Sequence, residues 1–409
     1  MGWKGVTVMD QKMQFILEYR DGFFPFNELC SQFGISRKTG YKWVERYNEG
    51  GPQGLMDRSR RPHSFGRATD GRIVDAIVGE RLKHPTWGPK KILTVLDPDF
   101  PDLPAISTAS DILKRMGLIK GNKRKMRRRR PGSPLSTAGK PNDIWSVDYK
   151  GQFRMRNGIY CYPLTVCDVR SRYLLGIDAH DTVSFTKTRQ CFTRLFEEYG
   201  LPQRIRSDNG VPFASNAIAR LSTLSVWWIK LGIYPEQIDP GKPQQNGRHE
   251  RMHRTLKREA TIPPERDIRA QQGRFDMFRS EYNEIRPHES LGQNTPRSAY
   301  VSSPRRMPGK LSSFDYPLNF EVRRVSGHNG CIRWKNEFVF VSSALGGEHI
   351  GLEVIDDRAY NVYFCEMLIG RFNEEDMKIG DIIERLPLRQ IYNRPGNINP
   401  QGVLPMCPE

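Results

Sequence analysis

Residues 241–258 read GKPQQNGRHERMHRTLKR, and this stretch organises the interpretation of the whole chain. Pro243 favours a turn, and Asn246-Gly247 interrupts regular structure before a helix can begin. No further breaker follows until Pro263, so we predict a helix of about three to four turns that starts near Gly247. Apolar residues recur along it at every fourth position and form a narrow stripe: Met252, Leu256 and Ala260.

A different face of this predicted helix carries one carboxylate and two cations: Glu250, Arg254 and Lys257. The face is either a solvated surface with an i,i+4 ion pair, or a metal-ligating glutamate beside cations that grip phosphate. A third interpretation comes from residues 249–253, HERMH, which fit the H-E-x-x-H pattern of zinc proteases. Evidence from the rest of the sequence is needed to distinguish among these three interpretations.

The charge of the chain is high and unevenly distributed. Its 409 residues suffice for about two to four domains, and its net charge is +18. Residues 1–142 carry 27 basic and 14 acidic residues, whereas the remaining residues carry 37 and 32. A concentrated positive region favours a nucleic-acid partner. A membrane partner fits less well, because no basic amphipathic anchor helix and no apolar run of membrane-spanning length stands out.

The cysteine pattern argues against a disulfide framework. The seven cysteines are scattered, odd in number and without a C-x-x-C pair. We therefore expect a reducing compartment and no cysteine-based zinc knuckle.

Residues 1–50 have the pattern of a helix-turn-helix domain. Three short helices are predicted over residues 10–49, with Ser36 as the N-cap of a basic third helix. Helix-turn-helix recognition places such a helix in the major groove, although an ordinary three-helix bundle remains the alternative. The exposed DNA-binding candidates are Arg37, Lys38, Thr39 and Lys42. Tyr41 and residues 43–44 are expected to pack inside.

Two basic linkers flank a second helical segment. Residues 51–68 form a Pro/Gly/Arg linker that either lies in a minor groove or is a solvated tether. Residues 69–119 are predicted to be a second, less basic helix-turn-helix-like domain, which would extend the DNA site. Residues 120–142 are another linker, with eight Lys or Arg between positions 120 and 130. The DNA-binding candidates in the two linkers are Arg58, Arg60, Arg61, Arg127, Arg128, Arg129 and Arg130.

From Asp143 onwards the pattern changes to strands followed by a helix and a further strand, an α+β or α/β core. Asp148 lies inside an otherwise apolar strand, where a buried carboxylate is costly unless it is paired or bound to metal. Asp208 follows another strand, at the end where open sheets usually place their sites. Carboxylates that converge repel one another, and this repulsion raises the pKa of each. Two Mg²⁺ ions would neutralise the repulsion and support phosphodiester cleavage.

Three motifs in this order carry a family resemblance. They are WSVD at 145–148, SDNG at 207–210, and PQQNGRHER at 243–251 followed by RTLK at 254–257. Together they resemble the integrase core of DDE transposases. The whole chain is similar to transposases of bacterial insertion sequences whose core resembles retroviral integrase.

The resemblance implies an RNase H-like fold for residues 143–300. It assigns the catalytic and metal-ligand roles to Asp148, Asp208 and Glu250, with two Mg²⁺ or Mn²⁺ ions at the active site. It also implies that Asn246, Arg254 and Lys257 help to position DNA. The expected activity is cleavage at transposon ends and transfer of the 3′-OH into target DNA. The expected partners are double-stranded DNA and, on DNA, further copies of the chain, with no membrane, in the bacterial cytoplasm at the nucleoid.

The spacing of the acids departs from the family pattern. Between Asp208 and Glu250 lie 41 residues, somewhat more than is usual. We place the surplus in residues 221–231, as a mobile flap or an extra turn of helix. Three rival carboxylates are better explained as turn, strand-end and loop residues: Asp168, Asp178 and Asp239.

Residues 318–372 alternate between apolar and polar positions and predict five short strands in a small β-barrel, to which we assign residues 312–385. By resemblance this barrel is SH3-like and assists DNA or subunit contacts, while a stabilising module is the alternative. Residues 386–409 are expected to be a flexible tail. The predicted fold class is therefore multidomain: all-α helix-turn-helix modules, an α/β RNase H-like core and a small all-β barrel.

The functional hypothesis is a transposase, a DDE polynucleotidyl transferase. The alternative is a DNA-binding regulator with an inactive integrase-like domain, against which the three intact acids argue. A zinc protease would need a third ligand, and the extended motif that supplies it is not found downstream.

Overall fold

The computed structural model describes residues 7–57, 69–119, 135–239 and 242–381. The predicted tail from residue 386 and the predicted DNA-binding arginines of both linkers lie outside these ranges: Arg58, Arg60, Arg61, Arg127, Arg128, Arg129 and Arg130. Two compact units divide the chain, Met1–Thr69 and Asp70–Glu409. The second helical segment therefore shares a unit with the strand-rich part of the chain. None of the helices in the described ranges combines the length and apolarity that a membrane crossing needs.

The first unit contains three helices: α1 (Val8–Asp21), α2 (Phe26–Gln32) and α3 (Arg37–Gly50). Ser36 caps α3 as predicted, since its hydroxyl accepts from the amide of Thr39 at 3.2 Å. Helix α3 lies close against α2, because a Cβ added to Gly40 would stand 2.7 Å from Sγ of Cys30. The apolar core of this unit consists of Phe15, Ile16, Leu29, Cys30, Val44 and Leu55.

The second helical segment contains α4 (Gly71–Lys83), α5 (Pro89–Leu96) and α6 (Ile106–Arg115). Asp70 caps α4, and Pro89 occupies the first turn of α5, where its missing amide is not needed. The segment encloses its own core, built around Ile77, Trp87, Ile92, Ala109 and Leu113.

Residues 143–300 contain one mixed sheet. Its strands are β1 (Ile144–Tyr149), β2 (Phe153–Arg154), β3 (Tyr160–Asp168), β4 (Leu174–His180), β5 (Arg204–Ser207) and β6 (Tyr234–Gln237). The sheet runs β4-β3-β1-β5-β6, and β2 pairs with the first residues of β3. Strands β1, β3 and β4 are antiparallel neighbours, whereas β1, β5 and β6 are parallel. This mixed sheet agrees with the predicted integrase-type core.

Helices cover both faces of the sheet. They are α7 (Phe185–Tyr199), α8 (Thr223–Lys230), α9 (Gly247–Ala260), α10 (Ile268–Ser280) and α11 (Pro296–Ala299). Side chains alternate along β1, so Trp145 and Val147 face the cluster that includes α7 and α8. Ser146 faces α9, where it meets His249. The predicted apolar stripe of α9 packs on this second face with residues from β3, β4 and α10.

The C-terminal region is all-β, as predicted, but has more strands than expected. They are β7 (Phe320–Arg324), β8 (Cys331–Trp334), β9 (Glu337–Phe340), β10 (His349–Asp356), β11 (Ala359–Phe364), β12 (Met367–Asn373) and β13 (Lys378–Asp381). Five of them form an antiparallel sheet, β13-β12-β11-β10-β7, and β8 and β9 form a hairpin. Among the described residues no hydrogen-bonded ladder closes this sheet, so a closed barrel is not confirmed.

Helix α8 belongs to two hydrophobic cores at once. Leu224, Trp227 and Trp228 pack into the core of the mixed sheet. Val226 and Ile229, on the opposite side, pack against the C-terminal strands. A helix that is apolar all round is one that is buried all round. The surplus between Asp208 and Glu250 is thus a buried helix and not a flap.

Candidate active site

Three acidic residues come from three elements that meet at one end of the mixed sheet. Asp148 lies near the end of β1, Asp208 follows β5 directly, and Glu250 lies in the first turn of α9. Since β1 and β5 are parallel neighbours, their carboxyl ends lie side by side. The side chain of Asp148 keeps 23% exposure, and Glu250 is exposed.

The electrostatics of Asp148 connect the three acids. Burial, and then the negative charge of Asp208, raise the pKa of Asp148 to about 8; Lys150 opposes this rise, and Glu250 adds a smaller contribution to it. Burial also raises the pKa of Asp208, although the Gly210 amide, which donates to Oδ1 at 3.1 Å, lowers it. Asp208 and Glu250 therefore both act on Asp148, and a cation bound there would relieve the repulsion that Asp148 experiences.

Beneath Asp148 lies a buried hydrogen-bonded network that the sequence interpretation missed. Oγ of Ser146 lies 2.7 Å from Nδ1 of His249. Oγ1 of Thr165 lies 2.7 Å from Nε2 of His249 and 2.6 Å from Nε2 of His253. The same hydroxyl donates to the backbone carbonyl of Asp148 at 3.0 Å. The network ties α9 to β1 and β3 directly below the acids.

The hydrogen-bond donors and acceptors of this network determine which ring nitrogen of each histidine carries the proton. A carbonyl oxygen only accepts, so the Thr165 hydroxyl donates its one proton to Asp148 and accepts from both Nε2 atoms. Nδ1 of His249 then accepts from Ser146. Nδ1 of His253 is left as an acceptor, 3.7 Å from Oδ2 of Asp148. Burial lowers the pKa of His249 to about 3 and that of His253 well below its usual value, so both rings are neutral.

This network bears on the zinc-protease interpretation. Asp148, His249 and His253 are the residues in the described ranges whose potential ligand atoms cluster, all within 4.8 Å of one another. However, both nitrogens of His249 are used by Ser146 and Thr165, and Nε2 of His253 faces Thr165. The histidine pair holds the helix against the sheet, which is a structural role. Its signal in the sequence is the i,i+4 spacing of the two histidines beside the apolar stripe.

Two of the three residues predicted to position DNA lie on the same face of α9 as Glu250. Arg254 and Lys257 are exposed there, one and two turns beyond Glu250. Asn246, in contrast, is buried at the N-terminus of α9, with 6% exposure. The two cations are therefore open to a partner, whereas Asn246 is enclosed by the protein.

Lys150 is a further cation of this region that the sequence interpretation did not single out. Burial, and then the charge of Lys257, lower the pKa of Lys150, while Asp148 raises it. Lys150 is two residues beyond Asp148, so the period of a strand places both on the same face. That spacing is the signal by which Lys150 could have been found.

The rival carboxylates all have partners elsewhere. Asp168 is buried and accepts from the amides of Asn142 and Ser171, at 2.8 and 2.7 Å. Asp178 forms an ion pair with Arg194 at 2.5 Å. Asp239 accepts from Lys242 at 2.9 Å. These contacts agree with the turn, strand-end and loop roles expected of the three.

The predicted DNA-binding residues of the first unit lie at the start of α3. Arg37, Lys38 and Lys42 are exposed, while Thr39 is bonded to Ser36. Tyr41 was expected to pack inside; it stacks on Phe26 at 4.2 Å, but 58% of it stays exposed. One side of its ring is therefore open, which adds an aromatic residue to the basic surface of α3.

Three cationic side chains of the first unit lie close to the ring of Trp43. Nζ of Lys12 lies 3.9 Å from the ring centroid, and Nζ of Lys42 lies 4.8 Å from it. The guanidinium of Arg46 is 5.1 Å away. This cation–π cluster concentrates positive charge next to α3.

Four models of known families match parts of this chain. Two models, each described as an integrase core domain, match residues 138–243 and 231–296. A helix-turn-helix domain matches residues 11–63, and a homeodomain-like domain matches residues 39–113. The chain thus carries an integrase core domain behind helix-turn-helix domains, and the resemblance predicted from the motifs is confirmed.

Two insertion-element proteins are among its relatives. An uncharacterized 39.2 kDa protein of insertion element IS476 from Xanthomonas euvesicatoria is 27% identical over 52% of this chain and 60% of that protein. An uncharacterized 31.7 kDa protein of insertion element IS407 from Burkholderia multivorans is 28% identical over 42% of this chain and 61% of that protein. The chain spans about three fifths of the length of these relatives.

Among solved structures, the catalytic core domain of HTLV-2 integrase in complex with magnesium matches with a TM-score of 0.32. It is 15% identical to this chain and covers 40% of it, and the match includes all of that domain.

Proposed function

We propose that this integrase-core chain is a DDE transposase, which cleaves DNA at the ends of its element and joins the freed 3′-OH to target DNA. The observation that carries the proposal is the convergence of Asp148, Asp208 and Glu250 at the carboxyl ends of β1 and β5. The similarity to insertion-element proteins supports the same activity. We place this activity in the bacterial cytoplasm, at the nucleoid.

The three carboxylates fit a divalent metal. They supply hard oxygen ligands, and the pKa of Asp148, raised by burial and by the neighbouring carboxylates, would fall again if a cation were bound beside it. Asp148, Asp208 and Glu250 would hold two Mg²⁺ or Mn²⁺ ions. When bound, such ions activate the attacking oxygen and stabilise the leaving oxygen of a phosphodiester.

The protein's own part in the reaction is positioning. Strands β1 and β5 and helix α9 hold the acids on rigid elements, and the neutral His253 lies against Asp148 from below. Arg254 and Lys257, with Lys150 beside them, would hold the phosphates of the DNA strand in line for attack. Phosphoryl transfer depends on this alignment and needs no covalent protein intermediate.

DNA recognition would fall to the helical domains. Arg37, Lys38 and Lys42 would enter a major groove with α3, and Tyr41 would add an aromatic contact. The second helical segment would extend the site, and the arginine-rich linkers would follow the DNA backbone. The C-terminal strands, as an SH3-like module, would assist these contacts in an oligomer assembled on DNA.

The test is nicking of a duplex that carries the terminal inverted repeat found in DNA flanking the gene. With Mg²⁺ or Mn²⁺, the wild-type chain should nick this duplex, and Glu250→Gln should reduce nicking to background. Glu284→Gln, which changes an exposed glutamate outside the site, is the matched control and should nick like wild type. Equal nicking by wild type and Glu250→Gln would refute the proposal. Binding of the duplex without nicking by the wild type would instead identify a DNA-binding regulator.

A further inference from the structure

A second cationic surface lies on the flank of α9 that faces away from Glu250. Arg248 and Arg251 occupy this flank, three residues apart and therefore neighbours along the helix. With about 100° of rotation per residue, Arg251 points about 100° away from Glu250, and Arg248 about 160° away. Both arginines are exposed.

The turn between β3 and β4 adds two arginines to this surface. Nη1 of Arg248 donates to the carbonyl oxygen of Val169 at 3.2 Å. Arg170 and Arg172 follow in the same turn, and Arg170 is exposed. Burial first, and then the charges of Arg248 and Arg251, lower the pKa of Arg172 to about 10. We call Arg170, Arg172, Arg248 and Arg251 the arginine cluster.

The arginine cluster lacks carboxylate partners. Within the described part of the chain, none of its members has a carboxylate oxygen within the 4.0 Å that defines an ion pair. Arginines nearby do have such partners: Arg286 lies 2.8 Å from Glu259, and Arg274 lies 3.2 Å from Glu265. Like charges held together without a counter-charge destabilise the fold slightly, and a bound polyanion would reverse that cost.

The second helical segment docks along the same flank. The hydroxyl of Thr86 bonds to Glu259, three turns beyond Arg248 on α9. Nζ of Lys90, at the start of α5, lies 3.3 Å from Oε1 of Glu289. Burial, and then the charges of three neighbouring cations, lower the pKa of His288 to about 3; the cations are Lys91, Arg286 and Arg172. Positive charge therefore continues from the arginine cluster towards α5.

We propose that the arginine cluster binds the phosphate backbone of duplex DNA outside the active site. This inference rests on the proposed function, because the duplex is one that the transposase holds while it acts on a strand at Glu250. An exposed guanidinium group can donate two parallel hydrogen bonds to the oxygens of one phosphate. Such contacts to the DNA backbone carry no information about the base sequence. Arg248 points about 160° away from Glu250, so a phosphate held by Arg248 is not the one at the active site, whereas Arg251 lies between the two faces of the helix.

The experiment compares two charge-matched variants of the full chain. The test variant is Arg170→Gln/Arg248→Gln/Arg251→Gln. The control removes three exposed arginines elsewhere that have no ion pair in the described ranges: Arg189, Arg269 and Arg306. Binding of a random-sequence duplex and of the end-bearing duplex is measured over a range of salt concentrations. Thermal unfolding of each variant verifies its fold, and Arg170→Gln/Arg251→Gln replaces the triple variant if that one does not fold.

The salt dependence should separate the two variants. Each lost phosphate contact reduces the slope of log K against log salt by about 0.9, so the test variant should lose roughly 1–3 in slope, and the control less. Weaker binding of the end duplex, accompanied by weaker binding of the random-sequence duplex, would place the end duplex on the cluster. Weaker capture of a second duplex by the preformed end complex would place target DNA there, and either result supports the proposal.

Nicking distinguishes this inference from the proposed function. At saturating protein, the test variant should nick bound end duplex at the wild-type rate. An unchanged salt slope together with normal nicking overturns the inference and leaves the proposed function intact. Normal binding with lost nicking also overturns it, because the arginines would then act at the active site. Loss of binding to the end sequence alone would indicate base recognition and overturn the backbone contact.

Discussion

Replacing Asp148 by asparagine should stabilise the metal-free protein at alkaline pH. In the folded chain the pKa of Asp148 is raised to about 8, by burial first and then by Asp208 and Glu250. In the unfolded chain the pKa returns to about 3.9. The folded state thus holds a proton that the unfolded state releases, and stability falls as the pH rises from about 4 to about 8. Asparagine has nearly the same shape and no charge, so it removes this loss.

The size of the effect follows from the shift. Each pKa unit corresponds to about 1.4 kcal/mol, which sets an upper limit of roughly 5 kcal/mol at pH 8. The side chain of Asp148 keeps 23% exposure, and the water that reaches it reduces this value. We therefore expect Asp148→Asn to gain about 1–3 kcal/mol at about pH 8 and to equal wild type near pH 4. For a domain of this size the gain corresponds to a rise in Tm of about 2–10 °C.

The assay is thermal unfolding in a chelator at several pH values between about 4 and 8, the range set by the two pKa values. Asp178→Asn is the control, since Asp178 is paired with Arg194 and should lose stability on substitution. The reasoning is refuted if Asp148→Asn is no more stable than wild type at the alkaline end, or if the difference is the same at every pH. At the alkaline end of this pH range, added Mg²⁺ should raise the Tm of wild type and leave the Tm of Asp148→Asn nearly unchanged.

Two further substitutions test how the core is held together. Thr165→Val leaves His249 and His253 without their shared hydroxyl, so we expect a loss of about 1–3 kcal/mol in urea unfolding and slower nicking, with DNA affinity unchanged. Unchanged stability would show that the network contributes little. Ile229→Asp places a charge between the two hydrophobic cores that share α8, so the C-terminal strands should become open to limited proteolysis, whereas Val354→Asp, at an exposed position, should not have this effect. Equal protection of both variants would contradict the shared role of α8.

Local patterns predicted the parts of the site that depend on neighbouring residues. The breaker at Asn246-Gly247 and the four-residue repeat located α9, which begins at Gly247 and ends at Ala260. The apolar strand around Asp148 was likewise evident, because alternation and burial leave a direct mark on the sequence. The roles that we propose for the three acids came from the family motifs, since spacing alone does not bring three acids together.

The histidine network was not predictable in the same way. Thr165 is 84 residues from His249, and only the pairing of β3 with β1, which sets Thr165 opposite Asp148, brings them together. A single sequence contains no local signal for that register. Helix α8 did have such a signal: its nearly continuous apolar run indicates burial on every side, and a flap was the less consistent interpretation.

The hydrogen bonds of α9 fix the orientation of the two flanks for which we propose DNA binding. A rotation of the helix about its axis by one residue, about 100°, would carry Glu250 away from Asp148 and bring Arg251 towards the acids. An apolar stripe alone resists such rotation weakly, because hydrophobic contact is not directional. His249 and His253 add directional bonds to Ser146 and Thr165, which are satisfied at one rotation only. The buried histidines therefore fix the direction in which each flank points, and with it the separation of the acids from the arginine cluster.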